Sequence, residues 1–258
     1  MKYYILMMII SVGIKYYKLE NELNHLKPTK WTSVVLRNEA KFKNRDDINY
    51  GSSFLVKLDT GVIACTARDF TGTHYTHGEM LSVKDFSNEL LSWKMYTVPN
   101  KLNFISVKSL ALKERIESFY NPRTFLAFNV NLQEGSIDAL EPDVSLIKNK
   151  ERVYIVGYGS DDKLRIIEGV VETSDNAKVA RLDLRIRTKE FLSHWNYVGS
   201  PIINKEGKVI GVFNRAYRLK YNNKGRIVSE KKDIDDSSYK YFVNGTQMRL
   251  ILGKKYGK

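Results

Sequence analysis

Histidine and cysteine, the residues most typical of zinc sites and of nucleophile–base pairs, are scarce in this sequence, which has four histidines and one cysteine. His74 and His77 stand in His-x-x-His spacing within a segment rich in Gly and Thr. A zinc site needs further ligands that the sequence does not nominate, so we interpret these histidines as a solvated pair and predict no metal and no other cofactor. Cys65 ends an apolar run, which favours a buried structural thiol over a reactive one.

The most informative stretch runs from Asn196 to Phe213 and includes the hydroxyl of Ser200. Gly199 and Pro201 predict a tight turn that leads into an apolar strand. After a second turn at residues 205–207, another apolar strand returns antiparallel to the first. Nucleophilic catalysis requires a hydroxyl or thiol held beside a base, so the residues of this turn decide what chemistry is open to the protein.

Short apolar strands separated by glycine-containing turns extend along most of the chain and predict an all-β fold. They comprise residues 31–37, 51–58, 61–67, 124–130, 144–147, 153–159, 166–171, 180–188, 209–213 and 239–243. Two segments, 85–96 and 109–120, match neither the helical nor the strand period, and a helix or an irregular strand is open for each. Residues 246–252 predict a short C-terminal helix, capped by Asn244 or Thr246.

The composition is that of a globular protein with an excess of positive charge. Forty-two Lys and Arg oppose 29 Asp and Glu, a formal net charge of +13. This charge favours contact with polyanions, although a solvated basic surface is the simpler interpretation. Arg181, Arg185 and Arg187 alternate with apolar residues and predict a half-buried strand with a cationic outer face. Residues 215–232 predict a basic, exposed hairpin or loop, and the single Cys65 excludes an intrachain disulfide.

The N-terminal 30 residues predict a signal-like or anchor segment followed by a polar linker. The apolar run 3–14 is shorter than the ~20 residues of a membrane span, but it matches a signal-peptide core of ~7–15 residues. Lys15 and Lys18 follow at once, which is unfavourable for cleavage, so an uncleaved anchor and a simple N-terminal helix or strand also stay open. We expect an exported or membrane-anchored protein, periplasmic or extracellular, whose membrane contact is confined to this segment.

The turn and three further segments together resemble the trypsin-like serine peptidases, over roughly residues 31–252. In that family the motif G-D-S-G-G-P precedes the strand, with the nucleophilic Ser three residues before the Pro. Here that position is Val198. Asn196 and Tyr197 replace the Gly and Asp of the oxyanion turn, and Gly199 is retained.

The other segments follow the order of the family. Residues 51–70 are similar to G-S-G-F followed by hydrophobic-T-A-A-H, and the general base corresponds to Arg68. Residues 141–148 are similar to the D-hydrophobic-A-L-L-K strand, with the acid retained as Asp143. Residues 153–159 are similar to the strand that opens the second barrel of bacterial members.

The resemblance implies two antiparallel six-stranded β-barrels with a short C-terminal helix. We expect the first barrel within residues 31–148 and the second within 149–258. Arg68 stays protonated and cannot act as a base, and Val198 has no nucleophile. We hypothesise that Arg68 instead forms a charge-assisted pair with Asp143, as a structural relic that joins the barrels.

These replacements predict a catalytically inactive member of the family that binds proteins or peptides. An extended peptide would add as a strand in the cleft between the barrels, where His194 could line the site. One alternative is an active peptidase with a rearranged site, for which Ser200 is the obvious but disfavoured nucleophile. The other is a basic β protein that binds an acidic polymer through Arg181, Arg185 and Arg187.

Overall fold

The computed structural model describes residues 31–68, 81–113, 116, 125–131, 137–172, 183–189, 192, 194–221, 227–228 and 239–253. The strands are β1 (Leu36–Phe42), β2 (Ser52–Leu58), β3 (Gly61–Thr66), β4 (Leu90–Thr97), β5 (Asn100–Leu110), β6 (Leu126–Asn131), β7 (Ala139–Leu140), β8 (Arg152–Tyr158), β9 (Leu164–Val171), β10 (Asp183–Thr188), β11 (Pro201–Ile203), β12 (Val209–Tyr221), β13 (Ile227–Val228) and β14 (Tyr239–Gln247). The helices in these ranges are α1 (Val83–Glu89), α2 (His194–Tyr197) and α3 (Met248–Leu252).

The first barrel has the strand order β1-β4-β5-β6-β3-β2, and the pairing of β1 with β2 closes it. The two-residue strand β7 adds to β2 in parallel, outside the closed ring. Trp93 fills the barrel centre, with its ring centroid 4.9 Å from that of Phe128 and 6.1 Å from that of Phe86. The indole N–H of Trp93 donates to Asn38 Oδ1 at 3.1 Å, so the buried ring keeps a polar partner.

The second barrel has the order β11-β8-β9-β10-β14-β12 and is closed by the pairing of β11 with β12. Strand β13 only extends the far end of β12. The protein thus consists of two closed six-stranded antiparallel β-barrels with a short C-terminal helix, which confirms the predicted fold class. Within the described residues, no helix is long and apolar enough to cross a membrane.

Three local predictions are wrong. Residues 31–34 form a helical turn closed by Val34 N–H to Trp31 O at 3.1 Å, and the strand begins only at Leu36. Residues 144–147 form no strand. Helix α3 begins after Gln247 without a side-chain cap, so neither predicted residue caps it. The region 85–96, for which a helix and a strand were both open, contains parts of α1 and β4, and β12 extends the predicted strand 209–213 to Tyr221, where it pairs with β13.

Candidate functional site: the turn before strand β11

The turn that joins α2 to β11 is docked onto the first barrel through its backbone. Val198 is fully buried, and its carbonyl accepts a hydrogen bond from the N–H of Ser52 at 2.7 Å. The hydroxyl of Ser52 donates to the carbonyl of Asn196 at 3.3 Å. Within the second barrel, Gly199 N–H donates to Phe213 O at 2.8 Å. These contacts hold Val198, which the sequence resemblance predicts to correspond to the nucleophile, at the junction of the two barrels.

Gly199 is the one residue of this turn whose type the backbone dictates. Its φ is +84°, in the left-handed region that only glycine adopts without strain. A Cβ at this position would lie 1.9 Å from Ser52 O and 2.3 Å from Thr66 Oγ1. The Thr66 hydroxyl donates to the same Ser52 carbonyl at 2.6 Å, so these neighbours are themselves held in place.

Arg37 also links the two barrels at this junction. It lies on β1 and is 6% exposed. Its Nη2 donates to Gly159 O at 3.0 Å and to Asp162 Oδ1 at 2.8 Å, and its Nη1 makes a long contact of 3.5 Å with Asn196 O. Sequence reasoning missed the roles of Arg37 and Ser52. The available signal for Ser52 was a polar side chain at the start of the apolar strand β2, whereas no local signal marks Arg37 on β1.

Ser200 is placed badly for a nucleophile. It is fully buried, and its Oγ has no described hydrogen-bond partner. The hydroxyl points at β8, where a Cβ on Gly157 would lie 2.4 Å from it. A nucleophile needs both access to substrate and a base within hydrogen-bond distance, and this geometry offers the Ser200 hydroxyl no access to solvent.

Cys65 is likewise a structural residue. It is fully buried on β3, and burial raises the pKa of its thiol to about 12. Because the thiolate is the reactive species, this thiol is inert at neutral pH. Of the histidines considered from the sequence, His25, His74 and His77 lie outside the described residues. His194 begins α2, and only its backbone is described.

Arg68 lies two residues after the end of β3 and is 7% exposed. Its Nη2 donates to the carbonyl of Leu81 at 2.8 Å, so the guanidinium helps hold the chain that enters α1. Counted from Thr66, the T-A-A-H spacing assigns the base one residue later, to Asp69, which lies outside the described residues.

Asp143 follows β7 in the chain and packs against the turn between β11 and β12. Its own N–H donates to Val209 O at 2.8 Å. Its carboxylate accepts hydrogen bonds from Ser145 N–H and from Asn204 Nδ2, each at 2.9 Å. Partial burial acts to raise the pKa of Asp143, but these hydrogen bonds and the nearby Lys208 charge outweigh it, so the pKa is lower than the ordinary value.

The hypothesised pair of Arg68 and Asp143 is not formed: among the ion pairs of the described residues, none joins these two side chains. The topology gives the reason. Arg68 lies just beyond β3 on the first barrel, and its guanidinium donates to Leu81 O on the chain that enters α1. Asp143 instead follows β7 and is bound by residues of the second barrel.

Substitution of Asp143 tests whether its hydrogen bonds at this turn stabilise the ionised carboxylate. Because its folded pKa is lowered, its stabilisation is present above the unfolded pKa of ~3.9 and is lost as pH falls through the folded value. We expect Asp143→Asn to reduce the free energy of unfolding by under ~1 kcal/mol at pH 7 and by nothing at pH 2, since the group is only partly buried and solvent screens its interactions. Urea denaturation at both pH values measures this.

The matched control is the same substitution made in an Asn204→Ala background. There the loss at pH 7 is expected to shrink, because one of the hydrogen bonds that favour the carboxylate is already gone. A loss of equal size at both pH values would contradict the assignment.

Strand β10 forms where the cationic strand was predicted, but of its two described arginines only Arg187 is exposed. Leu184 and Ile186 are buried on β10, with Arg187 exposed on the outer side. Arg185, however, is half-buried with its guanidinium 4.1 Å from the centroid of the Phe242 ring. Arg187 pairs with Glu172 at 2.9 Å. Arg181 lies outside the described residues.

No protein-family model and no curated protein matches the sequence. Among solved structures, the chain is similar to the active form of the Rv3671c protease from M. tuberculosis, with 12% identity, a TM-score of 0.50, and coverage of 89% of this chain and 83% of that one. The inactive form of the same protease is similar at 13% identity, a TM-score of 0.46, and coverage of 89% and 92%.

The HtrA-type protease AlgW with a decapeptide is similar at 10% identity and a TM-score of 0.49, and the match covers 90% of this chain and 65% of that one. At these identities the likeness concerns the fold alone. The chain therefore has the two-barrel fold of trypsin-like serine proteases.

Proposed function

We propose that this protein uses a serine-protease scaffold to bind an extended protein segment without cleaving it. The observation that carries the proposal is the burial of Val198, an aliphatic side chain, at the position that corresponds to the nucleophile. The neighbouring hydroxyl of Ser200 is also fully buried. Neither residue offers an oxygen to a substrate carbonyl, so hydrolysis by an acyl-enzyme route has no described nucleophile at this turn.

An open strand edge beside the turn supports peptide binding. Strand β11 pairs with β12 only up to Val212, whereas β14 continues to pair with β12 on its other side. No described strand covers the outer edge of residues 214–216, and the register of β12 shifts between Phe213 and Arg215. An uncovered strand edge accepts an extended peptide through main-chain hydrogen bonds.

The experiment combines a chemical probe with an unfolded ligand. The full chain is incubated with a fluorophosphonate probe, with trypsin as the reacting control, and adducts are sought by mass spectrometry. Fluorescence anisotropy with labelled, reduced casein then measures binding, and gel electrophoresis measures cleavage. We expect no adduct, saturable binding and intact casein.

Hydrogen exchange identifies where the casein binds. We expect the amides of residues 214–216 to exchange more slowly with casein bound, and those of residues 164–167 on β9 to be unaffected. A labelled serine, or cleaved casein, would restore the alternative of an active peptidase. Binding without protection of 214–216 would reject this edge as the site.

Restoring the missing hydroxyl should not restore hydrolysis. We expect Val198→Ser to remain without fluorophosphonate labelling or casein cleavage, because a serine at this position still lacks a histidine base beside it. Val198→Thr, which adds a hydroxyl at nearly the original volume, controls for the cost of a buried polar group. Turnover by Val198→Ser above that of Val198→Thr would show that a base is present.

A cationic groove is a second candidate site. We propose that it binds an acidic polymer, the alternative ligand that the sequence suggested. A cavity of about 350 Å³ lies beside Arg187, Thr188, Lys189, Lys240 and Tyr241, with Glu168 also at its wall. Two carboxylates in this region already have partners, since Glu168 pairs with Arg152 at 3.1 Å and Glu172 pairs with Arg187 at 2.9 Å. The groove therefore has a net positive charge near its opening.

Binding of poly-glutamate tests the groove. We expect the double variant Lys189→Gln with Lys240→Gln to bind poly-glutamate several-fold more weakly, and the affinity of the unaltered protein to fall as salt rises. The control double variant, Lys41→Gln with Lys57→Gln, removes equal charge from the first barrel. Equal losses in the two double variants would mean that net charge, and not the groove, binds the polymer.

A further inference from the structure

The hairpin of β4 and β5 has a composition unlike the rest of the surface. Between Leu90 and Leu110 it contains Lys94, Lys101 and Lys108 but no Asp or Glu. The hairpin tip, which we define as residues 94–104, lies on the first barrel and takes no part in the turn before β11. An inference from this surface is therefore independent of the proposed peptide site.

Leu102 is the feature of the tip that a solvated surface does not explain. Its residue is 84% exposed, more than any other large hydrophobic residue described. It is also held in place, because its N–H donates to Asn100 Oδ1 at 3.0 Å and the Thr97 hydroxyl donates to Asn100 O at 2.8 Å. The hairpin thus presents an apolar side chain outward from an ordered turn.

Lysines and aromatic rings surround this leucine. Tyr96 and Phe104 are opposite each other in the β4–β5 register and are partly exposed. The ammonium of Lys101 lies 5.3 Å from the centroid of the Tyr96 ring, and that of Lys94 lies 5.0 Å from the centroid of the Phe104 ring. Exposed apolar side chains beside aromatic rings and lysines are the combination found at membrane interfaces.

We propose that the hairpin tip docks onto the surface of an anionic lipid bilayer, with Leu102 inserted among the acyl chains. Each lysine near an anionic leaflet attracts the protein to the surface, and the long side chain keeps its ammonium at the headgroups while its methylenes lie against apolar surface. Burial of Leu102 adds the hydrophobic contribution. The two effects together require a ligand that is both acidic and apolar.

That double requirement distinguishes a bilayer from the other acidic ligands. Single-stranded nucleic acid binds by stacking bases on aromatic faces, and here lysine ammoniums already lie over the faces of Tyr96 and Phe104. Glu39 lies opposite Lys94 in the β1–β4 register and offsets part of its charge. The membrane contact is therefore centred on Lys101 and Leu102, at the far end of the hairpin.

The test is co-sedimentation of the full chain with vesicles of phosphatidylcholine, with and without phosphatidylserine. We expect binding to the anionic vesicles to be weakened about tenfold or more by Leu102→Asp, which removes one buried apolar side chain and adds a repelled charge. The matched control is Leu146→Asp. Leu146 lies in the segment that links β7 to β8, and it is 74% exposed. We expect this control to change binding less than about twofold.

Both variants retain residues 1–30, so the difference between them isolates the hairpin from any contact that the N-terminal segment makes. Equal vesicle binding by Leu102→Asp and Leu146→Asp would overturn the proposal. It would also be overturned by equal binding to vesicles with and without phosphatidylserine.

Discussion

Gly199→Ala is expected to lower the free energy of unfolding by about 3 kcal/mol or more, enough to unfold a domain of ordinary stability. Two costs act together. An alanine at φ +84° is strained, and its Cβ would lie 1.9 Å from the backbone oxygen of Ser52, which cannot rotate away. Relief requires the turn to separate from β2, which breaks the hydrogen bond from Ser52 N–H to Val198 O. Urea denaturation followed by circular dichroism measures the loss.

The matched control is Gly61→Ala. Gly61 also has a positive φ, +133°, but a Cβ there would meet nothing within 4 Å. In this variant the backbone is strained but the Cβ collides with nothing, so we expect the free energy of unfolding to fall by about 1 kcal/mol. Equal losses at the two glycines would mean that the turn tolerates a Cβ and is not held against Ser52.

Arg37→Met is expected to have the second largest effect, a loss of about 2 kcal/mol in the free energy of unfolding. Methionine keeps most of the apolar volume but removes the donors to Gly159 O and Asp162 Oδ1. The effect exceeds that of a surface ion pair because the guanidinium side chain is 8% exposed, although the Asp162 side chain is 68% exposed. Thermal and urea unfolding both report the change.

Asp162→Asn separates the ion pair from the rest of the Arg37 contacts. We expect it to cost under ~0.5 kcal/mol, because the carboxylate is largely in water and the amide oxygen still accepts a hydrogen bond. If Asp162→Asn and Arg37→Met lowered the free energy of unfolding equally, the ion pair would account for the whole effect. The hydrogen bonds to the Gly159 and Asn196 carbonyls would then contribute nothing.

Arg37→Met also tests whether the junction matters for binding. Because Arg37 and Ser52 both contact the carbonyl of Asn196, loss of Arg37 should loosen the turn beside the β12 edge. We expect weaker casein binding by Arg37→Met under conditions in which the variant is still folded. Unchanged affinity would show that the edge at residues 214–216 does not depend on this side of the turn.

Short-range patterns were sufficient for the architecture. The strands β2, β3, β8 and β9 each coincide closely with an apolar run bounded by turn residues. Strands β2 and β8 are buried along most of their length, so a continuous apolar run marks them, whereas burial alternates along β9. The glycine and proline of the 199–201 turn likewise act through local backbone geometry. Their types therefore indicated the turn, and with it the two-barrel resemblance, before any contact was known.

The site depended on pairings between residues far apart in the chain. Asp143 precedes an apolar run, and nothing local distinguishes it from an acid at the start of a strand. Its hydrogen bond from Asn204 forms only because the segment after β7 packs against the second barrel. Arg37 looks like an ordinary strand residue until Gly159 and Asp162 are brought to it from more than 120 positions away. Burial of Val198 and Ser200 is equally a product of the packing of two closed barrels, since a turn in isolation would expose both side chains.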